Sequence, residues 1–317
     1  MRVPHFAALI VLSVIWGSAF MLVKVSLDEV PPLTLVAGRL AGAALFLAIV
    51  LLMTRRAWPR DGRTWRIFLL LALANNIWPF TLITWGQQRI DSSLAAILTA
   101  SMPLSTIVLA HLWREERLSP DRVLGVLVGF GGVILLVGAD LRDLTSSNTL
   151  SQLAVIGGVL GYSFGAVFAR KYVRGGDPAV YSAGQMLMAA VVITPVALGV
   201  DRPFDLDISL KVALAWGALG VVMSGLAYIL FYWLIQHITA TQSSMVTYLI
   251  PITAIFWGAV VLDENLAATS LAGLAIIIAG VWLVNGGGQW LRERVQGDRV
   301  DARPVGGASG RSDGGAL

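Results

Sequence analysis

The chain of 317 residues is 56% hydrophobic and 13% charged, with a mean hydropathy of +0.76 and a formal net charge of +4. Soluble domains carry roughly 25% charged residues, so this composition excludes a soluble globular protein and indicates a membrane protein. The sequence contains no cysteine, which excludes disulfides, thiolate nucleophiles and cysteine-ligated metals.

Ten apolar stretches follow one another along the chain, each close to the roughly 20 residues that a helix needs to cross a bilayer. They are predicted at 5–24, 32–53, 65–87, 94–113, 121–138, 150–170, 179–199, 210–235, 242–262 and 269–290. We therefore predict an all-α membrane protein with ten transmembrane helices. Residues 291–317 are rich in Gly, Arg and Asp without apolar periodicity and are predicted to form a disordered tail.

The basic residues are divided unequally between the two sides of the predicted membrane. Ten spans place both termini on one side, and most Lys and Arg residues fall in the connections and the tail on that side. The positive-inside rule then places both termini in the cytoplasm. We expect a multi-pass protein of a bacterial cytoplasmic (inner) membrane, whose basic pI of 9.7 reflects these loops rather than nucleic-acid binding.

The second half of the chain repeats features of the first half. Trp233, Thr247, Pro251 and Glu264 follow Trp85, Thr99, Pro103 and Glu116 by 148 residues in each case. Nearer the start of each half the spacing becomes 146 residues, where Trp16 is matched by Tyr162 and Arg39 by Gln185. A register kept over several helices indicates an internal repeat.

Each predicted repeat contains five spans, and five is odd, so the second repeat is predicted to be inverted in the membrane. The predicted domains are a first five-helix repeat at 1–140, a second, inverted repeat at 148–290, and the cytoplasmic tail at 291–317. Inverted repeats are typical of secondary transporters, whose binding sites lie near the midplane between the repeats. The predicted architecture therefore surrounds a central cavity.

Three motifs resemble those of a known family. Ile15-Trp16-Gly17-Ser18-Ala19-Phe20 with Lys24, then Ala37-Gly38-Arg39-Leu40, then the stretch from Ala95 through Pro103 to Glu116 and Gly138, are similar to motifs of the EamA-type transporters of the drug/metabolite transporter superfamily. The resemblance implies a ten-helix exporter or exchanger of small metabolites. It also implies that helices 1, 3, 4, 6, 8 and 9 line the cavity. Within the family, the aromatic-rich midplane most resembles the aromatic amino acid exporters.

Polar and aromatic residues at similar predicted depth are the candidate ligands of a substrate. Amides inside hydrocarbon are costly unless they are partnered or solvated, and aromatic rings offer stacking faces; ordinary helix packing is the alternative interpretation. The candidate substrate-binding residues are Trp16, Asn75, Asn76, Trp78, Ser101, Met102, Tyr162, Ser163, Ser224, Tyr228 and Tyr248.

Three prolines and one arginine are the candidate hinge or gate residues. Pro79, Pro103 and Pro251 lie within predicted spans, where each would free a backbone carbonyl about four residues earlier and bend its helix. Arg39 is the basic residue well inside a predicted span. It is interpreted either as a contact for a substrate carboxylate or as the partner of an acid such as Glu264 or Glu29.

The residue inventory favours transport over catalysis. Every carboxylate falls in a loop, at a helix end or in the tail, and each His lies near a span end without a second ligand nearby, so we expect no enzyme activity, no metal and no cofactor. The expected function is export of small metabolites, most of all aromatic or other apolar amino acids, by alternating access at a midplane site. A cationic or multidrug exporter and a facilitative uniporter stay open as alternatives. The expected partners are a small-molecule substrate, lipid, and at most a weak homodimer.

Overall fold

The computed structural model describes residues 3–116, 118–138, 146–173, 177–237 and 245–287. The predicted tail at 291–317, the first residues of the ninth predicted span and the last residues of the tenth lie outside these ranges. Within them the chain is helical, with no β-strand. The all-α prediction is confirmed for the described residues.

Ten helical segments correspond in order to the predicted spans. They are α1 (Val3–Ser26), α2 (Pro32–Met53), α3 (Gly62–Gly86), α4 (Ser92–Leu112), α5 (Pro120–Gly138), α6 (Ser147–Tyr172), α7 (Pro178–Val200), α8 (Leu210–Ala218, Leu219–Leu226 and Ala227–His237), α9 (Met245–Leu262) and α10 (Ala268–Gly287). In the described chain, nine of these are long and apolar enough to cross a membrane, and the apolar α9 segment Val246–Leu262 is shorter. The residues immediately before α9 are outside the described ranges.

The most extensive helix contacts are those of α1 with α9, α2 with α7, α3 with α6 and α5 with α10. Of the remaining helices, α4 packs against α6, and α8 packs against α1 and α2. Glycines permit the close approach of α2 to α8 and of α3 to α7, because they leave room for a neighbouring side chain. A Cβ atom at Gly38 of α2 would lie 2.2 Å from the Trp216 ring of α8, and one at Gly184 of α7 would lie 2.2 Å from the Phe68 ring of α3.

Two helices change their turn geometry in mid-course. In α3 the segment Leu73–Ile77 is a π-helix, immediately before Trp78 and Pro79. In α8 the segment Leu219–Leu226 is also a π-helix, although no proline follows it in α8. A π turn widens the helix by one residue and reorients the side chains around it.

The prolines of α4 and α9 behave differently. The first part of α4 ends at Thr99, and its second part begins at Met102, one residue before Pro103. At this break the Ser101 hydroxyl donates to the Leu98 carbonyl at 2.7 Å. By contrast, α9 continues through Pro251 without a break. The helix is therefore interrupted in α4 and continuous in α9, and the bend and hinge role predicted for Pro79, Pro103 and Pro251 stay predictions.

Candidate functional site

Arg39 is buried near the middle of α2 and has no acidic partner among the described residues. Its residual exposure is 8%. Its Nε donates to the Ser224 hydroxyl of α8 at 2.8 Å, and its guanidinium carbon lies 3.9 Å from the centroid of the Phe80 ring of α3. A hydroxyl and an aromatic face thus take the place of the carboxylate that was considered from the sequence.

Asn76 of α3 lies beside this arginine contact and is fully buried. Its Nδ2 lies 3.5 Å from the Met186 sulfur of α7, and its side chain interacts with the Tyr228 hydroxyl of α8. Its Oδ1 has no hydrogen-bond partner among the described residues. On α7, Gln185 is also fully buried, and both polar atoms of its amide lack a partner there.

Aromatic rings surround these polar groups. The Trp16 ring lies 6.1 Å from the Tyr228 ring, edge to face, and the Phe80 ring lies 6.3 Å from the Tyr162 ring in a similar arrangement. The Trp16 indole N–H donates to the Met223 carbonyl at 3.3 Å. We call the resulting group the Arg39 cluster; it consists of Trp16, Arg39, Asn76, Phe80, Tyr162, Ser224 and Tyr228.

The two π segments position the polar side chains of the Arg39 cluster. Asn76 lies in the π segment of α3, and Ser224 lies in that of α8. The two residues are 148 residues apart, as are Phe80 and Tyr228. π segments occur frequently at functional sites because they turn a side chain away from the regular helical register.

All members of the Arg39 cluster except Phe80 were predicted from the sequence, and the buried polar residue Gln185, outside the cluster, was not predicted as a site residue. Phe80 follows Asn76 by four residues, which puts both on one face of α3, and it also matches Tyr228 at the spacing of the repeat. Gln185 was recognised as the counterpart of Arg39 but not as a site residue. The spacing of Phe80 from Asn76 and the repeat position of Gln185 were both visible in the sequence.

Trp78 lies apart from the Arg39 cluster, on the opposite side of α3. Its side chain is 56% exposed, and its indole N–H donates to the Gly157 carbonyl of α6 at 2.9 Å. It borders an open apolar cleft of about 360 Å³ between α3 and α6. The cleft is lined by Leu70, Leu73, Ala74, Trp78, Leu160, Gly161 and Phe164.

The other predicted site residues also make contacts outside the Arg39 cluster. Asn75 occupies the space beside Gly165 of α6. Ser163 donates to the carbonyl of Met102 at 3.1 Å, beside the break in α4 that includes Ser101. The Tyr248 hydroxyl of α9 accepts a hydrogen bond from Asn285 of α10 at 3.0 Å. Substrate contact by these residues stays a prediction.

Polar contacts join several elements at the end of the bundle that contains Lys24, called the Lys24 end below. Lys24 of α1 donates to the carbonyls of Gln87 and Ile90 at 2.8 and 2.9 Å. The Glu264 carboxylate, between α9 and α10, accepts from the backbone N–H groups of Ser92 and Ser93 at 2.7 and 3.0 Å and from the Ser93 hydroxyl at 2.5 Å.

Asp91 stands next to this arrangement, immediately before α4. Burial and the neighbouring Glu264 carboxylate raise the pKa of Asp91, and Lys24 partly opposes that rise. Because the folded state then holds the Asp91 proton more tightly than the unfolded state does, ionisation of Asp91 lowers stability as the pH rises through the carboxyl range.

Ion pairs connect the opposite end, called the Glu116 end below. Glu116 pairs with Arg122 at 3.0 Å and with Arg170 of α6. Lys171 pairs with Glu115 at 3.4 Å, and Arg56 pairs with Asp177, which joins α2 to α7. Exposed pairs of this kind each contribute little to stability, so their importance lies in which helices they connect.

A bundle of apolar, membrane-length helices with a buried group of polar and aromatic side chains between them defines a polytopic membrane protein of the transport class. Comparison with known proteins agrees with this class. The profile of the EamA-like transporter family matches residues 5–138 and, a second time, residues 149–286. The chain therefore belongs to the EamA-like transporter family and is a multi-pass membrane transporter.

Relatives in other organisms match nearly the whole chain. The uncharacterized transporter YoaV of Bacillus subtilis is 22% identical over 87% of this chain and 94% of its own length. The uncharacterized inner membrane transporter YedA of Escherichia coli K12 is 27% identical over 89% of this chain and 90% of its own length. A solved crystal structure with 18% identity superposes with a TM-score of 0.64, over 90% of this chain and 98% of that one, which supports the fold.

Proposed function

We propose that this transporter exports small amino-acid-like metabolites, aromatic or otherwise apolar, through a substrate site at the Arg39 cluster. The observation that carries the proposal is the enclosure of Arg39, Asn76 and Ser224 by the rings of Trp16, Phe80, Tyr162 and Tyr228. Polar groups suit the head of an amino acid, and the rings suit an apolar side chain. Trp16, Tyr162 and Tyr228 are each partly exposed, as expected for residues that border a binding space.

We further propose that residues 1–140 and 148–290 are inverted repeats that rock about this site. The Gly38–Trp216 and Gly184–Phe68 contacts support the proposal. Gly184 follows Gly38 by 146 residues and Trp216 follows Phe68 by 148, so the two contacts would be equivalent under the repeat. With both termini and the tail in the cytoplasm, the Lys24 end would face the outside of an inner membrane.

Two alternatives share the same fold. A cationic or multidrug exporter would use the rings through cation–π contacts, but the Arg39 charge opposes a cation in this cluster. A facilitative uniporter would need no proton-carrying group, and no acid lies within the Arg39 cluster. The flux experiment below includes a cationic compound and an imposed pH gradient in order to separate these alternatives.

The test is transport by the purified full chain in liposomes. Labelled Phe, Tyr, Trp, Thr and Met and the cation tetraphenylphosphonium are supplied with and without a pH gradient. We expect amino-acid flux, reduced about tenfold by Trp16→Ala, which corresponds to the loss of about 1.4 kcal/mol of binding to the transport site. Trp78→Ala is the matched control, because it removes the same ring from the outer cleft, and we expect less than a twofold change.

Three results would contradict the proposal. Flux of the cation without amino-acid flux would favour the multidrug alternative. A larger effect of Trp78→Ala than of Trp16→Ala would move the site to the cleft between α3 and α6. Absence of flux for every compound in the panel would reject the substrate class, while the membership of the family would stand.

A further inference from the structure

The charge of Arg39 lacks a counter-ion in the described part of the chain. Its Nε donates to Ser224 and the Phe80 ring covers the guanidinium carbon, but neither terminal amino group donates a hydrogen bond to any described residue. The two acids at the Lys24 end that were considered as partners are engaged elsewhere, since Glu264 binds Ser92 and Ser93, and Glu29 accepts from the Ser209 backbone. A buried cation without a partner is costly in a membrane.

Polar groups with unused hydrogen-bonding capacity lie around Arg39. Tyr162 is close enough to interact with it electrostatically. The Tyr162 hydroxyl forms no hydrogen bond to a described residue. On the neighbouring helix α3, the Asn76 carbonyl oxygen lacks a partner in the described chain. Buried polar atoms are normally satisfied, so this collection indicates a ligand that supplies the missing partners.

We propose that Arg39 binds the carboxylate of the transported molecule and that the site therefore selects small organic monocarboxylates. The two free amino groups of a guanidinium match the two oxygens of a carboxylate in a bidentate pair. The Tyr162 hydroxyl adds a further donor for the anion, and the Trp16 and Phe80 rings face the apolar remainder. This inference rests on the proposed substrate site and names the chemical group that the site requires.

The test measures binding rather than flux, by tryptophan fluorescence and thermal unfolding of the full chain in lipid nanodiscs at pH 7. The probes are 3-phenylpropionate, which has a carboxylate and no ammonium, L-phenylalanine, which has both, and L-phenylalaninamide, which has the ammonium without a carboxylate. We expect the two carboxylates to bind with dissociation constants within about tenfold of each other. We expect L-phenylalaninamide to bind at least about tenfold more weakly, as the loss of a hydrogen bond to a charged group implies.

Arg39→Gln is the decisive variant, because glutamine is the residue at the matching position of α7. It should weaken the binding of both carboxylates by about 10–100-fold and leave the binding of L-phenylalaninamide unchanged. Arg39→Lys keeps the charge and loses the planar guanidinium, so its affinity for carboxylates should lie between those of the parent chain and Arg39→Gln. Arg89→Gln is the control, because Arg89 is an exposed residue at the Lys24 end that faces Trp85 at 5.6 Å.

The inference would be overturned by equal binding of L-phenylalaninamide and 3-phenylpropionate to the parent chain, a result that needs no variant to fold. Equal competition by sodium chloride at the same concentration would also overturn it, since the site would then hold any anion. Arg39-dependent binding of carboxylates without amino-acid flux would reject the proposed function and keep this inference. Amino-acid flux that Arg39→Gln leaves unchanged would reject this inference and keep the proposed function.

Discussion

Glu264 caps the first turn of α4 from a different part of the chain. A carboxylate at a helix N-terminus receives backbone N–H groups that have no partner inside the helix and interacts favourably with the helix dipole. Here it receives two such groups and the Ser93 hydroxyl. The sequence placed Glu264 at a span end and matched it to Glu116, but its partners depend on how the loop between α9 and α10 folds over α4.

We expect Glu264→Gln to lower the free energy of unfolding by about 1–2 kcal/mol, because the charge-assisted bonds to α4 become neutral or are lost. The measurement is thermal or denaturant unfolding in detergent. Glu29→Gln serves as the comparison, because Glu29 accepts one exposed backbone N–H, that of Ser209. This variant should lower the free energy of unfolding by less than Glu264→Gln does. Equal losses for the two variants would argue against a special role for the Glu264 cap.

Glycines bring α5 and α10 into close backbone contact. A Cβ atom at Gly132 would lie 2.8 Å from the Gly273 carbonyl oxygen, and one at Gly280 would lie 2.4 Å from the Gly129 backbone nitrogen. Backbone atoms cannot move aside as a flexible side chain can, so the two helices would have to separate. Small residues at four-residue spacing are typical of such contacts, but their spacing does not identify which helices meet.

Adjacent glycines of α5 provide a matched pair for this contact. Gly132→Ala should destabilise the protein by about 1–3 kcal/mol through overpacking. Gly131→Ala should stay within about 1 kcal/mol of the parent, because nothing lies within 4 Å of a Cβ at that position and alanine favours a helix. Thermal unfolding of both variants in the same detergent tests this, and equal stability of the two would contradict the tight packing of α5 on α10.

The two matching prolines, Pro103 of α4 and Pro251 of α9, lie in helices of different regularity. Proline removes one backbone donor wherever it stands, and that predicted a disturbance in both α4 and α9. In α4 the helix is interrupted at Ala100–Ser101. There the Ser101 hydroxyl and the backbone N–H groups of Ala100 and Ser101 donate hydrogen bonds to the carbonyls of the preceding turn. In α9 the helix stays continuous through Pro251. The same residue type therefore accompanies an interruption in one helix and a continuous helix in the other.

At the scale of the whole molecule, α4 and α9 are in contact at the Lys24 end. A Cβ atom at Gly258 of α9 would lie 2.4 Å from the Ser93 hydroxyl of α4 and equally close to a Glu264 oxygen. If the two proposed repeats rock about the Arg39 cluster, α4 and α9 must separate here in each transport cycle. The described arrangement would then be the one that is closed at the Lys24 end.

A disulfide tests this separation directly, because the natural chain has no cysteine. Ser93→Cys combined with Gly258→Cys places two thiols on Cβ atoms within about 4 Å of each other, the range that a disulfide requires. We expect the oxidised double variant to lose most of its flux and to regain it on reduction, while each single variant stays active. Undiminished flux from fully cross-linked protein would show that the Lys24 end does not open along this contact.

The sequence by itself determined the membrane environment, the order of the helices and the family. A backbone in hydrocarbon must satisfy its polar groups within each segment, so the length and apolarity of a stretch suffice to predict a helix. Only the tertiary structure decided which of the buried candidates meet. One π turn carries Ser224, which binds Arg39, and the other carries Asn76, which interacts with Tyr228, whereas Trp78 faces outward. Turn geometry and partner choice depend on neighbouring helices far away in sequence, and a linear pattern does not contain their positions.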